Sequence, residues 1–229
     1  LSRLVTEKVS RAEATQRQGR AGRVATGTCY RLWTRGEEGA LPAFAPAEIE
    51  VADLAPFALE LALWGSADLP LLTAPPEGTL AEAQSLLQAL GALDTEHRIT
   101  AHGRMLAALP VHPRLGHMLA LAGKTAAPVA ALLSERDILK GAPADLALRL
   151  KALDNPRAVP HQVNHAALAQ VRTEAKRLAR TAPDVTTAYS PAQMAALAYP
   201  DRIALRRTGD APRFLTSGGK GIYLADDDP

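Results

Sequence analysis

The chain has 229 residues, of which 47% are hydrophobic, 22% are charged and only 4% are aromatic. These values are typical of a folded globular protein and exclude a wholly disordered one. The formal net charge of +2 is too small to indicate a nucleic-acid binder from bulk charge alone. Because Cys29 is the single cysteine, no internal disulfide can form, and a reducing cytoplasm is the expected location. No signal peptide and no apolar run of about 18 residues is found, so no membrane partner is expected.

A helix between two strands is predicted at the N-terminus. Residues 4–9 carry β-branched side chains and indicate a strand or its exit. Ser10 and Glu13 form a capping-box pattern, which predicts a helix continuing through residues 16–23. Residues 28–33 predict a second strand, with Cys29 buried as a small hydrophobe. Strand, helix and strand over such a length is typical of the tail of an α/β lobe, because a whole lobe needs several such units.

The next region has the outline of a winged helix. Apolar residues recur at helical spacing before Gly65, and a second capping box at Thr79 and Glu82 predicts another helix. Residues 93–100 then predict two short strands around a polar tip. This outline is a weak functional signal, because the same module serves on nucleic acid and as a spacer.

From about residue 103 to residue 199 the pattern is almost entirely helical, and the last thirty or so residues change to short extended segments. One longer helix presents the cations Arg172, Lys176 and Arg180 away from its apolar stripe. These cations are candidates for tracking a phosphate backbone, with a solvated helix face as the alternative interpretation.

Residues 16–23 carry the most specific signal, with the sequence QRQGRAGR. Arginine presents a planar, permanently charged fork of donors that matches phosphate oxygens, and glycine lets a ligand approach the backbone closely. The arginines recur every three residues, so on a helix they line one face, a spacing suited to a polyphosphate. A solvated basic turn is the alternative from composition alone.

The order of these residues resembles motif six of superfamily two helicases, in the form of the DEAH-box branch. In that family the motif lies in the second RecA-like lobe and reaches ATP bound mainly by the first lobe. The resemblance implies that Gln16 helps to place the γ-phosphate and attacking water, that Arg20 and Arg23 act as arginine fingers, and that Gly19 adjoins the nucleotide. Phosphoryl transfer depends on positioning and charge neutralisation, which suits these residue types.

Further segments are similar to the bacterial DEAH-box helicase family HrpB, over nearly the whole chain. The segments that carry this similarity are PAEI at 46–49, LGALD at 90–94, LPVHPRL at 109–115, LLSERD at 132–137 and AYPDRIA at 198–204. The resemblance implies a mixed, mostly α protein made of a RecA-like remnant (1–42), a winged helix (43–110), a helical ratchet-like domain (111–190) and the start of an HrpB-specific region (191–229). It also implies ATP with Mg²⁺ as cofactor and a single strand of RNA or DNA as partner.

The chain contains neither a complete P-loop sequence nor an Asp-Glu-Ala-His box. It also opens without methionine, within a predicted strand, and ends soon after another. We therefore expect a fragment of a longer helicase, and we expect the 229 residues not to hydrolyse ATP by themselves. Two alternatives remain open: a winged-helix module that binds nucleic acid without any enzymatic activity, and a regulator that donates arginine fingers to another protein's nucleotide.

Two further sites are rejected from the sequence. Residues 122–125, AGKT, resemble the end of a P-loop, but Met118 occupies the position of its first glycine and a helix is predicted before it. The pairs His161 with His165 and His112 with His117 have no evident third ligand, so no metal site is predicted.

Overall fold

The computed structural model describes residues 7–66, 69–209 and 212–224. Over these ranges the protein is mostly helical, with β-strands of two to four residues that begin after residue 138. This confirms the mostly α fold class predicted from the sequence. The strand predicted over residues 4–9 begins outside the described residues, and residues 7–9 belong to no strand.

The first helix, α1 (Arg11–Ala21), begins at the predicted capping box. The Ser10 hydroxyl accepts a hydrogen bond from the Glu13 amide at 3.2 Å, and the Glu13 carboxylate accepts one from the Ser10 amide at 2.7 Å. These bonds lower the pKa of the Glu13 carboxyl, because they favour its charged form. The helix ends at Gly22, which has φ −106° and ψ 19°.

The strand predicted over residues 28–33 is wrong, because these residues adopt no regular secondary structure. A strand needs a neighbour to pair its backbone groups, and the described part of this region holds no other strand. Cys29 is exposed instead of buried, and Leu32 is 93% exposed. The region continues as two short helices, α2 (Arg35–Ala40) and α3 (Glu48–Val51).

The next unit contains α4 (Ala55–Trp64), α5 (Glu77–Ala89) and α6 (Ala101–Ala107). Gly65 ends α4 with φ 86°, the left-handed conformation that favours glycine, as the sequence predicts. The predicted hairpin is reduced to one bridge between Leu93 and Ile99. The three helices enclose a small apolar core made of Leu54, Ala55, Ala58, Leu59, Ala83, Leu87, Ala92, Leu93 and Leu106.

The start of α5 differs from the prediction. The helix begins at Glu77, so Thr79 lies inside its first turn and does not cap it. Pro76 occupies the capping position without a side-chain hydrogen bond. Pro76 has φ −60° and ψ 127°, and its missing backbone N–H removes no helical hydrogen bond at this position.

The main helical unit follows in the order α7, α8, β1, α9, β2 and α10. A 3-10 turn (Gly123–Ala126) joins α7 to α8, and a second one (Pro156–Ala158) follows α9. The two strands pair in an antiparallel ribbon through Leu139 with Val163 and Lys140 with Gln162. The bounds are α7 (Pro113–Ala122), α8 (Ala127–Ser134), β1 (Leu139–Lys140), α9 (Leu146–Asp154), β2 (Gln162–Val163) and α10 (His165–Thr181).

Helices α7, α8 and α10 form the largest apolar core of the described chain. Met118, Leu119, Val171 and Leu178 are fully buried in it. The continuous helical run Pro113–Ser134 has a mean hydropathy of 1.2 and is long and apolar enough to cross a membrane, which the sequence analysis did not predict. Of its most apolar window, 67% is buried inside the protein, as in the core helix of a soluble domain.

The C-terminal part begins with α11 (Pro191–Ala198), which packs against α7 and inserts Met194 and Ala198 into the same core. A 3-10 turn (Pro200–Arg202) leads into an antiparallel sheet in the order β3, β4, β5. The strands are β3 (Ala204–Arg206), β4 (Arg213–Thr216) and β5 (Gly221–Tyr223). The bounds of the four domains drawn from the sequence stay predictions.

A buried arginine joins this part to the helical unit. Arg114 on α7 is 9% exposed, and its Nη1 and Nη2 atoms lie 2.5 and 3.0 Å from the two carboxylate oxygens of Asp201. This bidentate contact lowers the pKa of the Asp201 carboxyl. The guanidinium groups of Arg114 and Arg202 both lie over the Tyr199 ring, at 5.2 and 4.7 Å from its centroid.

Candidate functional site

Helix α1 presents the residues of the predicted nucleotide site to solvent. Ala14 is its only buried residue, and every residue from Thr15 through Ala21 is exposed. Gln16 and Arg20 are four positions apart and therefore share one face of the helix. Within the described ranges, neither their side chains nor that of Arg23 makes a hydrogen bond or ion pair. The guanidinium groups are thus available to an anion.

A fully helical segment would place the arginines of residues 16–23 on one face. In the structure they do not all share a face. Arg17 and Arg20 lie within α1, whereas Arg23 follows the end of the helix at Gly22. The C-terminal end of a helix carries a partial negative charge, so the backbone here does not attract phosphate. Anion binding at this site therefore depends on the arginine side chains.

Glycines shape the surface beside the arginines. At Gly27 an added Cβ would lie 1.8 Å from the carbonyl oxygen of Ala21, so the returning chain packs directly on the end of α1. At Gly19 no atom lies within 4 Å of an added Cβ, which leaves that backbone open to a ligand. A shallow concavity of about 360 Å³ lies here, lined by Thr15, Gln18, Gly19, Gly22, Gly27 and Cys29.

One side-chain contact of α1 was not predicted from the sequence. The guanidinium group of Arg31 donates to the side-chain oxygen of Gln18 at 2.8 Å and pairs with the carboxylate of Glu38 on α2. Thirteen positions separate Gln18 from Arg31, and no periodic pattern relates them. The only related signal in the sequence was the pattern of residues 28–33, and it indicated a strand.

The three cations predicted to contact nucleic acid differ in their surroundings. Arg172 donates to the backbone oxygen of Leu153 at 2.6 Å and contacts that of Asp154 at 3.3 Å, so it stabilises the end of α9. Lys176 and Arg180 are exposed, four positions apart on α10, and without a hydrogen bond or ion pair in the described chain. These two cations are the ones available to a phosphate backbone.

Paired histidines connect the winged-helix unit to α7. The Nε2 atom of His102 on α6 lies 2.8 Å from Nδ1 of His117 on α7. Burial lowers the pKa of His117 to about 4, and the neighbouring His102 lowers it as well. Nearby, His112 Nε2 lies 3.2 Å from the carboxylate of Asp53. Within residues 7–66, 69–209 and 212–224, no three His, Cys, Asp or Glu side chains converge as metal ligands.

The segment that resembles a P-loop has a different structure. Met118 lies inside α7, so a helix precedes Gly123 where a P-loop requires a strand. The Lys124 ammonium pairs with the Asp184 carboxylate at 2.7 Å. The backbone of Pro183 and the side chain of Val185 cover Gly123 closely. This packing leaves no cradle for a phosphate.

The chain is similar to several known helicases. Residues 83–111 match the family model described as helicase associated domain (HA2), winged-helix. The chain is 34% identical to the ATP-dependent RNA helicase HrpB of Escherichia coli K12 over 98% of its length. It is 36% identical to the ATP-dependent RNA helicase HrpA of the same organism over 54% of its length. A crystal structure of E. coli HrpB matches the whole chain with a TM-score of 0.78 at 33% identity.

The chain spans 27% of the length of E. coli HrpB and 10% of the length of HrpA. It covers 28% of the chain in the HrpB crystal structure. By these comparisons the chain is the counterpart of one segment of the DEAH-box helicases. Within that class the chain is HrpB-like, because the match to HrpB extends over nearly all of its residues whereas the match to HrpA covers about half.

Proposed function

We propose that this chain supplies one side of the ATP site of an RNA or DNA helicase, together with units that enclose a single strand. The observation that carries the proposal is the exposed set of Gln16 and Arg20 on α1 and Arg23 just after it, whose side chains have no partner among the described residues. Three side chains with amide or guanidinium donors suit the oxygens of a transferring γ-phosphoryl group. The names of the relatives, ATP-dependent RNA helicases, support the same reaction.

The residues present fit only the phosphate side of ATP with Mg²⁺. Gln16, Arg20 and Arg23 would hold the γ-phosphate, whose transfer to water is the chemistry that the nucleotide supplies. Mg²⁺ requires carboxylate or phosphate oxygens, and the chain has no complete P-loop sequence and no Asp-Glu-Ala-His box to arrange them. We therefore propose that another lobe holds the magnesium ion and most of the nucleotide, and that this chain alone does not hydrolyse ATP.

Arg20 and Arg23 act by electrostatics in this proposal. A guanidinium group placed beside the transferring phosphoryl group neutralises the charge that spreads over its oxygens in the transition state. Gln16 has an amide that can both donate and accept, which suits the orientation of an attacking water molecule. An exposed arginine side chain loses rotamer freedom when it binds, so its effect requires a well-positioned backbone.

The test uses a hybrid helicase, in which this chain replaces the matching segment of E. coli HrpB. Arg20→Ala in the hybrid is expected to lower the RNA-stimulated ATPase rate by about 10³-fold or more, the range found for arginine fingers. Arg35→Ala is the control, because Arg35 is an exposed arginine on α2 without an ion pair in the described chain. An ATPase rate that is equal in the two variants and the unmodified hybrid would refute the proposal.

Binding of a single strand by α10 is a second proposed function, favoured by the unpartnered Lys176 and Arg180. The 229-residue chain is expected to bind fluorescent single-stranded RNA, with an affinity that falls as salt rises. Replacing both residues by glutamine should weaken binding and reduce the salt slope by about 1.4, whereas Lys151→Gln on α9 should leave both unchanged. A DNA strand of the same sequence, measured in parallel, decides between RNA and DNA.

A further inference from the structure

Helix α1 is fixed firmly only at its N-terminal half. The amides of Arg11 and Ala12 donate to the carbonyl oxygens of Pro42 and Ala43 at 2.9 and 3.0 Å. Ser10 is 1% exposed, and Ala14 is buried one turn further on. Beyond Ala14 the helix has no buried residue, so apolar packing does not determine how its second half is rotated about the helix axis.

One side-chain contact holds the second half of α1 in place. Arg31 bridges Gln18 on α1 and Glu38 on α2, and its side chain is 29% exposed. A guanidinium group has a rigid planar fork, so binding two acceptors at once fixes the direction of each. Among described residues, the Gln18 to Arg31 hydrogen bond is the only side-chain hydrogen bond that joins residues 16–21 to a later part of the chain.

Helix geometry relates this contact to the proposed nucleotide site. Successive residues of an α-helix are rotated by about 100°, so Gln18 lies about 160° to 200° from Gln16 and Arg20 around the axis. The contact with Arg31 therefore holds α1 on the side opposite to the two residues that would face the phosphate. Gly27, packed on the Ala21 carbonyl, supports the end of the helix from the same returning segment.

We infer that Arg31 is a positioning residue, which acts through Gln18 to set the rotation of α1 and thus the direction of Gln16 and Arg20. The inference rests on the proposed function of those residues. Ion pairs this exposed contribute little to stability, so the expected role concerns geometry. Displacement of a catalytic group by about 1 Å can cost on the order of 100-fold in rate, which makes even a weak contact significant for activity.

Loss of the contact between Arg31 and Gln18 should lower kcat and leave KM for ATP nearly unchanged. An arginine finger interacts with charge that develops in the transition state, so a misdirected finger lowers kcat and leaves KM for ATP nearly unchanged. In the hybrid helicase, Arg31→Met and Gln18→Met are each expected to lower kcat by about tenfold. The double variant should be no slower than either single variant, because both changes remove the same contact.

Two companion variants separate positioning from a general loss of structure. Gln18→Glu keeps an acceptor for the Arg31 guanidinium group and should retain most of the kcat. Arg35→Met removes another exposed arginine of the same region and should leave kcat unchanged. Thermal unfolding of each variant of the 229-residue chain should change by no more than a few degrees, since the contact is exposed.

The outcomes distinguish this inference from the proposed function. If Arg20→Ala abolishes the ATPase activity while Arg31→Met and Gln18→Met have normal kcat, the positioning role is refuted and the proposed function stands. If Arg20→Ala itself has no effect, the proposed function fails. Losses in kcat that multiply in the double variant, or a raised KM with an unchanged kcat, would also overturn the positioning role.

Discussion

Apolar residues are buried in the helical unit built on α7, α8 and α10, whereas they are exposed in the segment around α1. In the helical unit, Leu119, Val171 and Leu178 have no exposed surface. In the segment after α1, Val24, Tyr30 and Leu32 are 97%, 83% and 93% exposed. The helical unit thus finds its packing partners within the described chain, whereas the residues around α1 do not. Core packing is therefore concentrated in the helical unit, and the proposed ligand contacts lie in the less packed segment around α1.

The largest expected effect tests this difference in packing directly. Leu178→Ala opens a cavity in a core that is already fully packed and should lower the free energy of unfolding by about 2 to 5 kcal/mol. Leu32→Ala removes the same side chain from an exposed site and should change it by less than about 0.5 kcal/mol. Urea unfolding of both variants, followed by circular dichroism, measures the contrast. Equal losses would show that residue 32 is packed in solution.

A pH-dependent loss of stability is expected at the junction between the winged helix and α7. The pKa of His117 is lowered to about 4 from an ordinary value of 6.5, so the unfolded chain takes up a proton first as the pH falls. The contribution of the neutral, buried His117 is therefore fully present above about pH 6.5 and is lost progressively toward pH 4.

Urea midpoints between pH 7 and pH 4 measure this effect. His117→Gln should reduce the dependence on pH, because the replacement does not titrate. His165→Gln, at an exposed position at the start of α10, is the control and should leave the profile as in the unmodified chain. The assignment to His117 is wrong if both variants retain the full dependence.

The smallest expected effect separates stability from function within α1. Gly19→Ala places a methyl group where no atom lies within 4 Å, and alanine favours a helix over glycine by about 1 kcal/mol. The chain should become slightly more stable. The ATPase rate of the hybrid should nevertheless fall, because the methyl group occupies the space left for the nucleotide. Gly39→Ala on α2 is the matched change, with no expected effect on the rate.

Features that depend on neighbouring residues were predictable from the sequence, and features that depend on distant contacts were not. Local signals were sufficient for the capping box of Ser10 and Glu13 and for the glycine end of α4 at Gly65, since each depends on a few neighbouring residues. The strand at 28–33 was wrong because a strand depends on a partner that no local pattern specifies. Arg172 was correctly placed on a polar face, yet its contact with Leu153, 19 positions away, was not predictable from periodicity.

The candidate site was predicted in part. The order of residues 16–23 identified the side chains that the structure exposes on α1, and the assignment of their roles stays a prediction. The supporting contact of Gln18 with Arg31 depends on how the chain returns after Gly27, which spacing in the sequence does not encode. Motif order thus identified the candidate ligand-facing residues and left out the residue that orients them.

The contact between His102 and His117 provides a spectroscopic reporter. His117 Nδ1 lies 2.8 Å from His102 Nε2, so one ring donates a proton and the other accepts it. Nitrogen-15 chemical shifts distinguish the protonated ring nitrogen from the bare one. If α6 moves against α7 when a strand is bound, the two rings separate and the tautomers equilibrate. The nitrogen-15 chemical shifts of the two rings would then report motion of the winged helix without an attached label.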